Sequence, residues 1–279
     1  MIQLDNVKFG YAKGNLLFND VTWHLEQGHI YGLLGCNGAG KTTLLKIATG
    51  QLFPQEGTAL IGGEPAYKRT AKQLSDVYFL QEEIYVPHLK IKQFEAAFAP
   101  FYPKFSHEQF MKYLTEFEMD NMLGFIDKFS HGQKKKVMIA FALATNVSLL
   151  IMDEPTNGLD IPSKSIFRKI MISNTGEKKT SIISTHQVRD LQSLIDAVSI
   201  LDNGRMILSD HKDVITNKLF FGNEVTSNKS DETVFYTEMT PSGTKLVKEN
   251  VEQKVSDIDL ELLFNAAVQH KKDFTEMFK

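Results

Sequence analysis

The chain has 279 residues, 42% of them hydrophobic and 23% charged, a composition typical of a globular protein with one large or two modest domains. Its 31 basic and 34 acidic residues give a formal net charge of -3, which argues against a protein that coats nucleic acid or anionic lipid. Cys36 is the single cysteine, which excludes an internal disulfide and a cysteine zinc cluster. These features predict a protein of the reducing cytosol that binds no nucleic acid.

The hydropathy of the chain predicts no membrane-spanning segment. Apolar runs stay short of the roughly 18 residues needed to cross a bilayer. Residues 1–14 lack a charged head followed by an apolar stretch, so secretion is not expected. If the protein works at a membrane, we expect the contact to come only through a partner.

The N-terminal part of the chain predicts strands around one short helix. Alternation of apolar and polar residues, or a short apolar run that ends in glycine, indicates strands at residues 1–12, 28–35, 56–66 and 75–81. Between them, residues 41–50 predict a helix that ends at Gly50.

The middle of the chain changes to a helical and aromatic pattern. Between Ile84 and Asn146, apolar residues such as Phe110 and Phe117 recur at helical spacing, so this section predicts a helical insertion. Further along, apolar runs predict buried strands at residues 147–155, 180–186 and 196–204. Because helical segments separate these strands, we expect a parallel sheet.

The C-terminal part of the chain differs from the rest in its hydropathy pattern. Residues 216–232 are polar and predict irregular structure, residues 240–243 predict the turn of a hairpin, and residues 257–278 predict an amphipathic helix. We therefore expect a main domain at residues 1–215, with its helical subdomain at about residues 84–146, and a small C-terminal appendage at residues 216–279.

The stretch GCNGAGKT at residues 35–42 has the spacing of a phosphate-binding loop, with a strand before it and a helix after it. Backbone amides of such a loop point at phosphate oxygens, and the helix N-terminus adds positive charge. The Lys41 side chain should reach the β and γ phosphates, and the Thr42 hydroxyl should coordinate Mg²⁺. A glycine-rich turn without a ligand is the alternative. The predicted nucleotide-binding residues are Gly35, Cys36, Asn37, Gly38, Ala39, Gly40, Lys41, Thr42 and Thr43.

Four polar residues stand where predicted strands end. Asp153 and Glu154 follow the apolar run LLIM, at the sheet edge where open α/β sheets bind ligands. Asp153 is suited to hold Mg²⁺, and Glu154 to activate the water that attacks the γ-phosphate. His186 can hydrogen-bond a phosphate, and Gln81 offers an amide oxygen to a metal. Taken singly, each could be an ordinary loop residue.

The ordered motifs GCNGAGKT, FLQ, FSHGQ, LLIMDEPTNGLD and STH resemble the nucleotide-binding subunit of ATP-binding cassette (ABC) transporters over about residues 1–215. This resemblance implies an α/β fold of the P-loop NTPase type, with a parallel-sheet core, an antiparallel β subdomain, a helical subdomain and a small C-terminal appendage. It also implies ATP and Mg²⁺ as ligands and ATP hydrolysis as the reaction.

The resemblance assigns roles to particular residues. Gln81 is similar to the glutamine that joins the metal site to the membrane partner, and Glu154 to the catalytic glutamate. Asp160 is similar to the aspartate at the subunit contact, and His186 to the switch histidine. Tyr11 resembles the aromatic residue that stacks on adenine, although it could also simply end a hairpin strand.

The FSHGQ segment resembles the family signature, which implies that two ATP-binding subunits close head to tail around two ATP molecules. Ser130, Gly132 and Gln133 would then contact the nucleotide of the partner, which is either a second copy or a similar chain. His131 departs from the family pattern, where glycine is usual. Because the other three residues remain, we expect this signature to permit hydrolysis.

The resemblance also implies transmembrane permease subunits, which would hold the chain at the cytoplasmic face of the cell membrane. Residues 98–110 and 259–267 are similar to the ABC-2 type exporters of antibiotics, peptides or lipids. Two alternatives stay open, a soluble ABC-type ATPase not coupled to transport and a regulatory or dimerisation role for residues 216–279. The cargo is not predicted.

Three consecutive lysines, at positions 134–136, follow the signature near the start of a predicted helix. Each would cost about 0.3 to 1 kcal/mol against the helix dipole if nothing compensated its charge. The lysines either point into water or lie near the triphosphate of a partner subunit.

Overall fold

Strands and short helices alternate along the chain, and the computed structural model describes residues 1–12, 14–119, 123–224, 234–241 and 243–278. The strands are β1 (Ile2–Phe9), β2 (Phe18–Leu25), β3 (Ile30–Leu34), β4 (Glu56–Ile61), β5 (Glu64–Pro65), β6 (Val77–Leu80), β7 (Leu149–Asp153), β8 (Thr180–Thr185), β9 (Ala197–Asp202), β10 (Arg205–His211), β11 (Leu219–Glu224), β12 (Val234–Thr240) and β13 (Gly243–Glu249).

The α-helices are α1 (Lys41–Ala48), α2 (Ala71–Leu74), α3 (Ile91–Phe98), α4 (His107–Glu116), α5 (His131–Ala144), α6 (Ile161–Ser173), α7 (Lys212–Lys218), α8 (Leu260–Gln269) and α9 (Lys271–Met277). Short 3-10 helices occupy Ala66–Lys68, Ala99–Phe101, Ile126–Lys128 and Val188–Asp190. In the part of the chain that the structure describes, no helix has the length and apolar character needed to cross a membrane.

A parallel sheet forms the centre of the structure, with the strand order β10-β9-β3-β8-β7-β6. Strands β9, β3, β8, β7 and β6 run parallel, and β10 pairs antiparallel with β9 at one edge. Every residue of β3 and β7 is buried, as expected for parallel strands covered on both faces. The predicted parallel sheet is confirmed, and the carboxyl ends of β3, β7 and β8 meet at one edge.

An antiparallel sheet of order β2-β1-β4-β5 packs against this core. Trp23, in β2, is 1% exposed, and its indole N–H donates a hydrogen bond of 2.9 Å to Ser199 Oγ in β9. A buried N–H needs such a partner, because leaving it unpaired costs stability. Leu33 of β3 and Leu45 of α1 lie in the same apolar core, so the bond joins two sheets that also share their packing.

The chain between β6 and β7 forms the expected helical section, built from α3, α4 and α5. Phe110 and Phe117 are fully buried, as their helical spacing predicts. Phe141 of α5 lies at the centre of an aromatic cluster, with its ring centroid 5.7 Å from that of Phe110 and 5.0 Å from that of Phe94. These aromatic residues are core packing.

The C-terminal part contains more regular structure than the sequence indicated. The hairpin of β12 and β13 is confirmed, with Ser242 of its turn outside the described residues. Within residues 216–232, Leu219–Glu224 form β11, which pairs antiparallel with β13, so the prediction of irregular structure was wrong there. Leu219 and Phe221 are buried, a period-2 pattern too short to stand out among polar neighbours. Residues 225–233 lie outside the described part.

The single amphipathic helix predicted at residues 257–278 is instead two helices, α8 and α9. They meet at His270, whose φ of -113° and ψ of 47° are not helical. Leu263 and Phe274, one from each helix, are fully buried. The apolar period therefore indicated the buried face but did not reveal the break.

The proposed boundary at residue 215 lies inside α7. Ile215 and Leu263 belong to the same apolar core as Leu150 and Ile183 of the parallel sheet. The C-terminal elements therefore pack on the main sheet, and the division at residue 215 stays a prediction.

The bond between Trp23 and Ser199 predicts a specific loss of stability. We expect Ser199→Ala to lower the free energy of unfolding by about 1–3 kcal/mol, because the buried indole N–H loses its acceptor. Urea denaturation followed by fluorescence measures this directly, since Trp23 is the sole tryptophan. Ser209→Ala is the matched control, because Ser209 contacts the Ser199 hydroxyl at 2.9 Å but leaves the indole bond in place. Equal losses in the two variants would contradict the assignment.

Candidate nucleotide-binding site

The loop between β3 and α1 forms one wall of a cleft of about 610 Å³. Gly38 and Gly40 have φ of +82° and +102°, a left-handed conformation that glycine adopts without steric penalty. A Cβ atom at Gly40 would lie 2.7 Å from the Phe18 ring, so this position has room only for glycine. Helix α1 begins at the next residue, and its unpaired backbone N–H groups make this end of the cleft suited to an anion.

Most of the predicted nucleotide-binding residues meet in this cleft. Gly35 and Ala39 are buried within the loop itself, which follows β3 closely. Predicted residues that line the cleft are Tyr11, Cys36, Asn37, Gly38, Gly40, Lys41, Thr42, Thr43, Asp153 and Glu154.

Lys41 is the cation of the cleft and is 7% exposed. Its Nζ donates hydrogen bonds to the carbonyl oxygens of Gly35, at 2.8 Å, and of Cys36, at 3.3 Å. The same atom lies 3.7 Å from Glu154 Oε1. These contacts hold the ammonium group inside the loop, where a triphosphate would offer it further oxygen acceptors.

Thr42 and Asp153 bring oxygen atoms together beside the loop. The Thr42 hydroxyl donates to Asp153 Oδ2 at 2.5 Å, and the Ser184 hydroxyl donates to the other carboxylate oxygen. Asp153 is only 1% exposed, so the two hydroxyl groups satisfy a carboxylate with almost no access to water. A hydroxyl and a carboxylate at one point match the oxygen ligands that Mg²⁺ prefers, so these residues fit that ion.

Glu154 follows Asp153 and is 4% exposed, with a left-handed backbone φ of +46°. Its carboxylate accepts hydrogen bonds from the His186 backbone N–H at 3.0 Å and from the Thr185 hydroxyl at 3.2 Å. The imidazole Nδ1 of His186 lies 2.8 Å from Glu154 Oε1. Because a left-handed non-glycine residue costs about 1–3 kcal/mol, such conformations persist where surrounding contacts enforce them, often at active sites.

Tyr11 lies at the open end of the cleft and is 70% exposed. Its hydroxyl is 2.9 Å from Thr43 Oγ1, and its ring meets the Phe9 ring edge to face at 5.0 Å. These two contacts orient the tyrosine while leaving most of its ring surface accessible. An exposed, oriented aromatic face is suited to stacking on a base.

The two residues that follow β6 are placed differently relative to the cleft. Gln81 is exposed and does not line the cleft, whereas Glu82 does. Glu82 also accepts a hydrogen bond of 3.1 Å from the Asn157 side chain. Leu80 is buried at the end of β6, and Glu82, two residues further on, is the first residue after this strand that lines the cleft. Glu82 is therefore a further candidate residue to which the sequence drew no attention, and the role of Gln81 stays a prediction.

The signature residues lie away from this cleft. Ser130 caps α5, where its hydroxyl accepts from the Gln133 N–H at 3.2 Å and its own N–H donates to Gln133 Oε1 at 3.0 Å. A Cβ atom at Gly132 would lie 3.0 Å from the Gly158 carbonyl oxygen. The cleft of a single chain therefore does not bring Ser130, Gly132 and Gln133 together with the phosphate-binding loop.

The loop after Glu154 carries the remaining predicted residue. Asp160 caps α6 by accepting from the Ser163 N–H at 2.8 Å. Hydrogen bonds from the side chain and the backbone of Ser163 lower the pKa of the exposed Asp160 carboxyl. The His131 ring packs against Gly158, since a Cβ atom there would lie 2.6 Å from His131 Cδ2. The signature segment and the loop around Asp160 therefore form one continuous surface.

The three lysines of α5 have different environments. Lys135 is fully buried and donates a hydrogen bond of 2.7 Å to the Glu154 backbone carbonyl. Burial lowers the pKa of Lys135, and the nearby carboxylates, with Glu82 foremost, act against that shift. Lys136 Nζ lies 3.8 Å from Asp160 Oδ2. Neither of the two expected environments, water or the triphosphate of a partner, describes Lys135, which instead supports the backbone of the cleft.

Comparison with known proteins identifies the family. Residues 18–157 match the ABC transporter family. The chain is 34% identical over 194 residues to the ABC transporter ATP-binding protein NatA of Bacillus subtilis, covering 67% of this chain and 79% of that protein. It is 30% identical over 246 residues to the lantibiotic transport ATP-binding protein SrtF of Streptococcus pyogenes, covering 82% and 99% respectively. The chain belongs to the ABC transporter family.

Solved structures agree with this result. The structure of an ATP-binding subunit of an ABC transporter superposes with a TM-score of 0.69 at 26% identity, covering 77% of this chain and 92% of that one. A dimeric ATP-binding cassette, MJ0796 bound to ADP and Pi, shares the fold with a TM-score of 0.66 at 22% identity, over 76% of this chain and 98% of that chain. The predicted ABC fold is confirmed, and the chain is an ATP-hydrolysing subunit of this family.

The buried contact of Lys135 predicts an effect on turnover. We expect Lys135→Met to lower kcat for ATP hydrolysis by roughly 10- to 100-fold, because small displacements of groups in an active site have effects of this size. Steady-state phosphate release measures kcat and KM separately, and we expect KM to change less. Lys112→Met, at an exposed position of α4, is the control and should retain activity. An unchanged kcat in Lys135→Met would exclude this supporting role.

Proposed function

We propose that this chain is the ATPase subunit of an exporter for an antibiotic, peptide or lipid, and that it works at the cytoplasmic face of the cell membrane through separate permease subunits. SrtF is named for lantibiotic transport, and LnrL of Bacillus subtilis, 30% identical over 228 residues, is named for linearmycin resistance. Those alignments cover 82% and 78% of this chain, and 99% and 72% of the two relatives. The names of these two relatives support the exporter subgroup and do not identify the cargo of this chain.

Affinity purification of the tagged chain from its native membranes tests this proposal. We expect a membrane subunit to co-purify, and we expect ATP turnover to change when that subunit is present. Recovery without any membrane subunit, together with turnover that is indifferent to membranes, would count against a transport role and favour the alternative of a soluble ATPase.

One observation carries the assignment of the site. Glu154 Oε1 lies within reach of both Lys41 and His186, in a cleft walled by the phosphate-binding loop. In the proposed reaction, Lys41 binds the β and γ phosphates, Glu154 orients and deprotonates the attacking water, and His186 contacts the γ-phosphate. Tyr11 stacks on the adenine at the open end of the cleft.

We further propose that Thr42 and Asp153 hold Mg²⁺, with Glu82 lining the same cleft. Their hydroxyl and carboxylate oxygens fit this ion, and Thr42 and Asp153 are already in contact. Mg²⁺ bound with the nucleotide would neutralise charge on the phosphates. In this proposal Glu82 takes the place that the sequence suggested for Gln81.

A second ATP-binding subunit completes the proposed site. Ser130, Gly132 and Gln133 lie outside the cleft of their own chain, and Ser130 and Gln133 are exposed at the start of α5. This arrangement supports a head-to-tail pair in which the α5 N-terminus of one subunit faces the triphosphate held by the other. Asp160, exposed at the start of α6, would lie at the same contact. The second subunit is either an identical copy or a similar chain.

The role of Glu154 predicts a separation of binding from hydrolysis. We expect Glu154→Gln to bind ATP with little change but to hydrolyse it about 10²- to 10⁴-fold more slowly, which is the range that a positioned general base contributes. Equilibrium binding of ATP and phosphate release measure the two properties. Glu177→Gln, at an exposed loop position, is the control and should hydrolyse ATP normally. Most of the activity surviving in Glu154→Gln would remove this residue from the role.

The two residues that follow β6 give a paired prediction. We expect Glu82→Ala to raise the Mg²⁺ concentration needed for half-maximal hydrolysis roughly tenfold, as loss of a group close to a metal ligand typically does. Gln81→Ala, one residue earlier and exposed, should leave the Mg²⁺ dependence unchanged. Titration of ATPase activity with Mg²⁺ at saturating ATP distinguishes the two. The opposite ranking would restore Gln81 as the residue facing the metal.

A further inference from the structure

A second group of metal-binding side chains lies outside the nucleotide cleft. Glu26 follows β2, His29 precedes β3 and His211 ends β10. Each offers one ligand atom, and these atoms all lie within 4.8 Å of one another. The two imidazole rings meet edge to face with centroids 4.4 Å apart. The proposed nucleotide chemistry uses none of these three side chains.

The register of the sheet brings these residues together. Ala197 of β9 pairs with Tyr31 of β3 on one side and with His211 of β10 on the other, so these three residues share a face of the sheet. His29 stands two residues before Tyr31. Ala197 lies between Tyr31 and His211 and has a small side chain. The rings of Tyr31 and His211 can therefore approach each other across β9, and their centroids are 6.1 Å apart.

Backbone contacts hold the third side chain beside the imidazoles. The Glu26 N–H donates a hydrogen bond of 2.9 Å to the Tyr31 hydroxyl, which fixes the turn between β2 and β3. Asp196 is also close, since its carboxylate accepts from the Ile30 N–H at 2.9 Å. Two carboxylates, Glu26 and Asp196, therefore lie close to the amino end of β3, where their negative charge favours a bound cation.

The position of this group separates it from the phosphate chemistry. His29 lies at the amino end of β3, whereas the phosphate-binding loop follows the carboxyl end of the same strand. Five strand residues at about 3.3 Å each put roughly 16 Å between the two ends. A metal ion here would not contact ATP or the Mg²⁺ proposed beside Thr42.

We propose that Glu26, His29 and His211 bind a transition-metal ion, with Zn²⁺ the best match. Two imidazoles and one carboxylate form a donor set that zinc uses with a water molecule as the fourth ligand. Imidazole ligands favour zinc and similar metals over Mg²⁺ and Ca²⁺, which prefer oxygen. In a tetrahedral zinc site the ligand atoms lie about 3.4 Å apart, so these atoms, all within 4.8 Å of one another, need to approach by no more than about 1.4 Å.

A metal ion at this site links distant parts of the chain. The turn between β2 and β3 belongs to the nucleotide-binding half, whereas His211 directly precedes α7, where the C-terminal elements begin. Zn²⁺ would therefore hold the start of α7 against the amino ends of the parallel strands. Because such an ion binds only the folded arrangement, it would stabilise the protein against unfolding.

Titration of the purified chain with Zn²⁺ or Co²⁺ tests the site. The chain should carry no polyhistidine tag, and excess Mg²⁺ and ADP should be present to occupy the nucleotide cleft. We expect one equivalent of metal to bind, Co²⁺ to show the visible absorption of a four-coordinate complex, and Zn²⁺ to raise Tm. His29→Ala and His211→Ala should each weaken binding at least about tenfold and lose the rise in Tm.

His24→Ala is the matched control, because His24 also lies in this part of the chain but pairs with Asp5 at 2.7 Å instead. It should bind Zn²⁺ as the original chain does. If an alanine variant fails to fold, Glu26→Gln at an exposed position replaces it in the comparison. Absence of a stoichiometric site, or equal affinity in the His211→Ala and His24→Ala variants, would overturn the proposal. Neither result depends on ATP hydrolysis, so the proposed transport function is tested separately.

Discussion

Two adjacent carboxylates, Asp153 and Glu154, are buried at the end of one strand, and the rest of the cleft is arranged around them. Burying a carboxylate is costly unless hydrogen bonds or opposite charges compensate for lost water. Hydroxyl groups from α1 and β8 bind Asp153, while His186, Thr185 and Lys41 approach Glu154. Because these groups come from α1 and from the end of β8, the carboxyl edge of the parallel sheet must be assembled correctly before either acid is stable there.

Helix α5 takes part in the same network from outside the sheet. Lys135 carries a positive charge to the Glu154 carbonyl, although the helix belongs to the section between β6 and β7. That section also packs an aromatic cluster around Phe141. Movement of α5 relative to the sheet would therefore act on the backbone of Glu154 directly. This contact provides a physical route between the helical section and the nucleotide cleft.

Motifs whose chemistry depends on neighbouring residues could be predicted from the sequence, and contacts set by tertiary packing could not. Spacing identified the phosphate-binding loop and Asp153 with Glu154, since glycines, a cation and acids at strand ends have local causes. Which of the two residues after β6 lines the cleft depends on how the chain leaves the sheet there, and the sequence did not indicate Glu82. A lysine run predicts surface charge, so the burial of Lys135 had no sequence signal, and β11 depended on pairing with a strand some 25 residues later.

Ser130 and Gln133 satisfy each other's hydrogen bonds within one chain. The start of α5 is therefore folded before any second subunit arrives. Ordering flexible groups is a main entropic cost of association, and a surface that is already ordered avoids it. In the proposed subunit pair, the contact surface would not have to refold each time the two subunits separate and close around nucleotide.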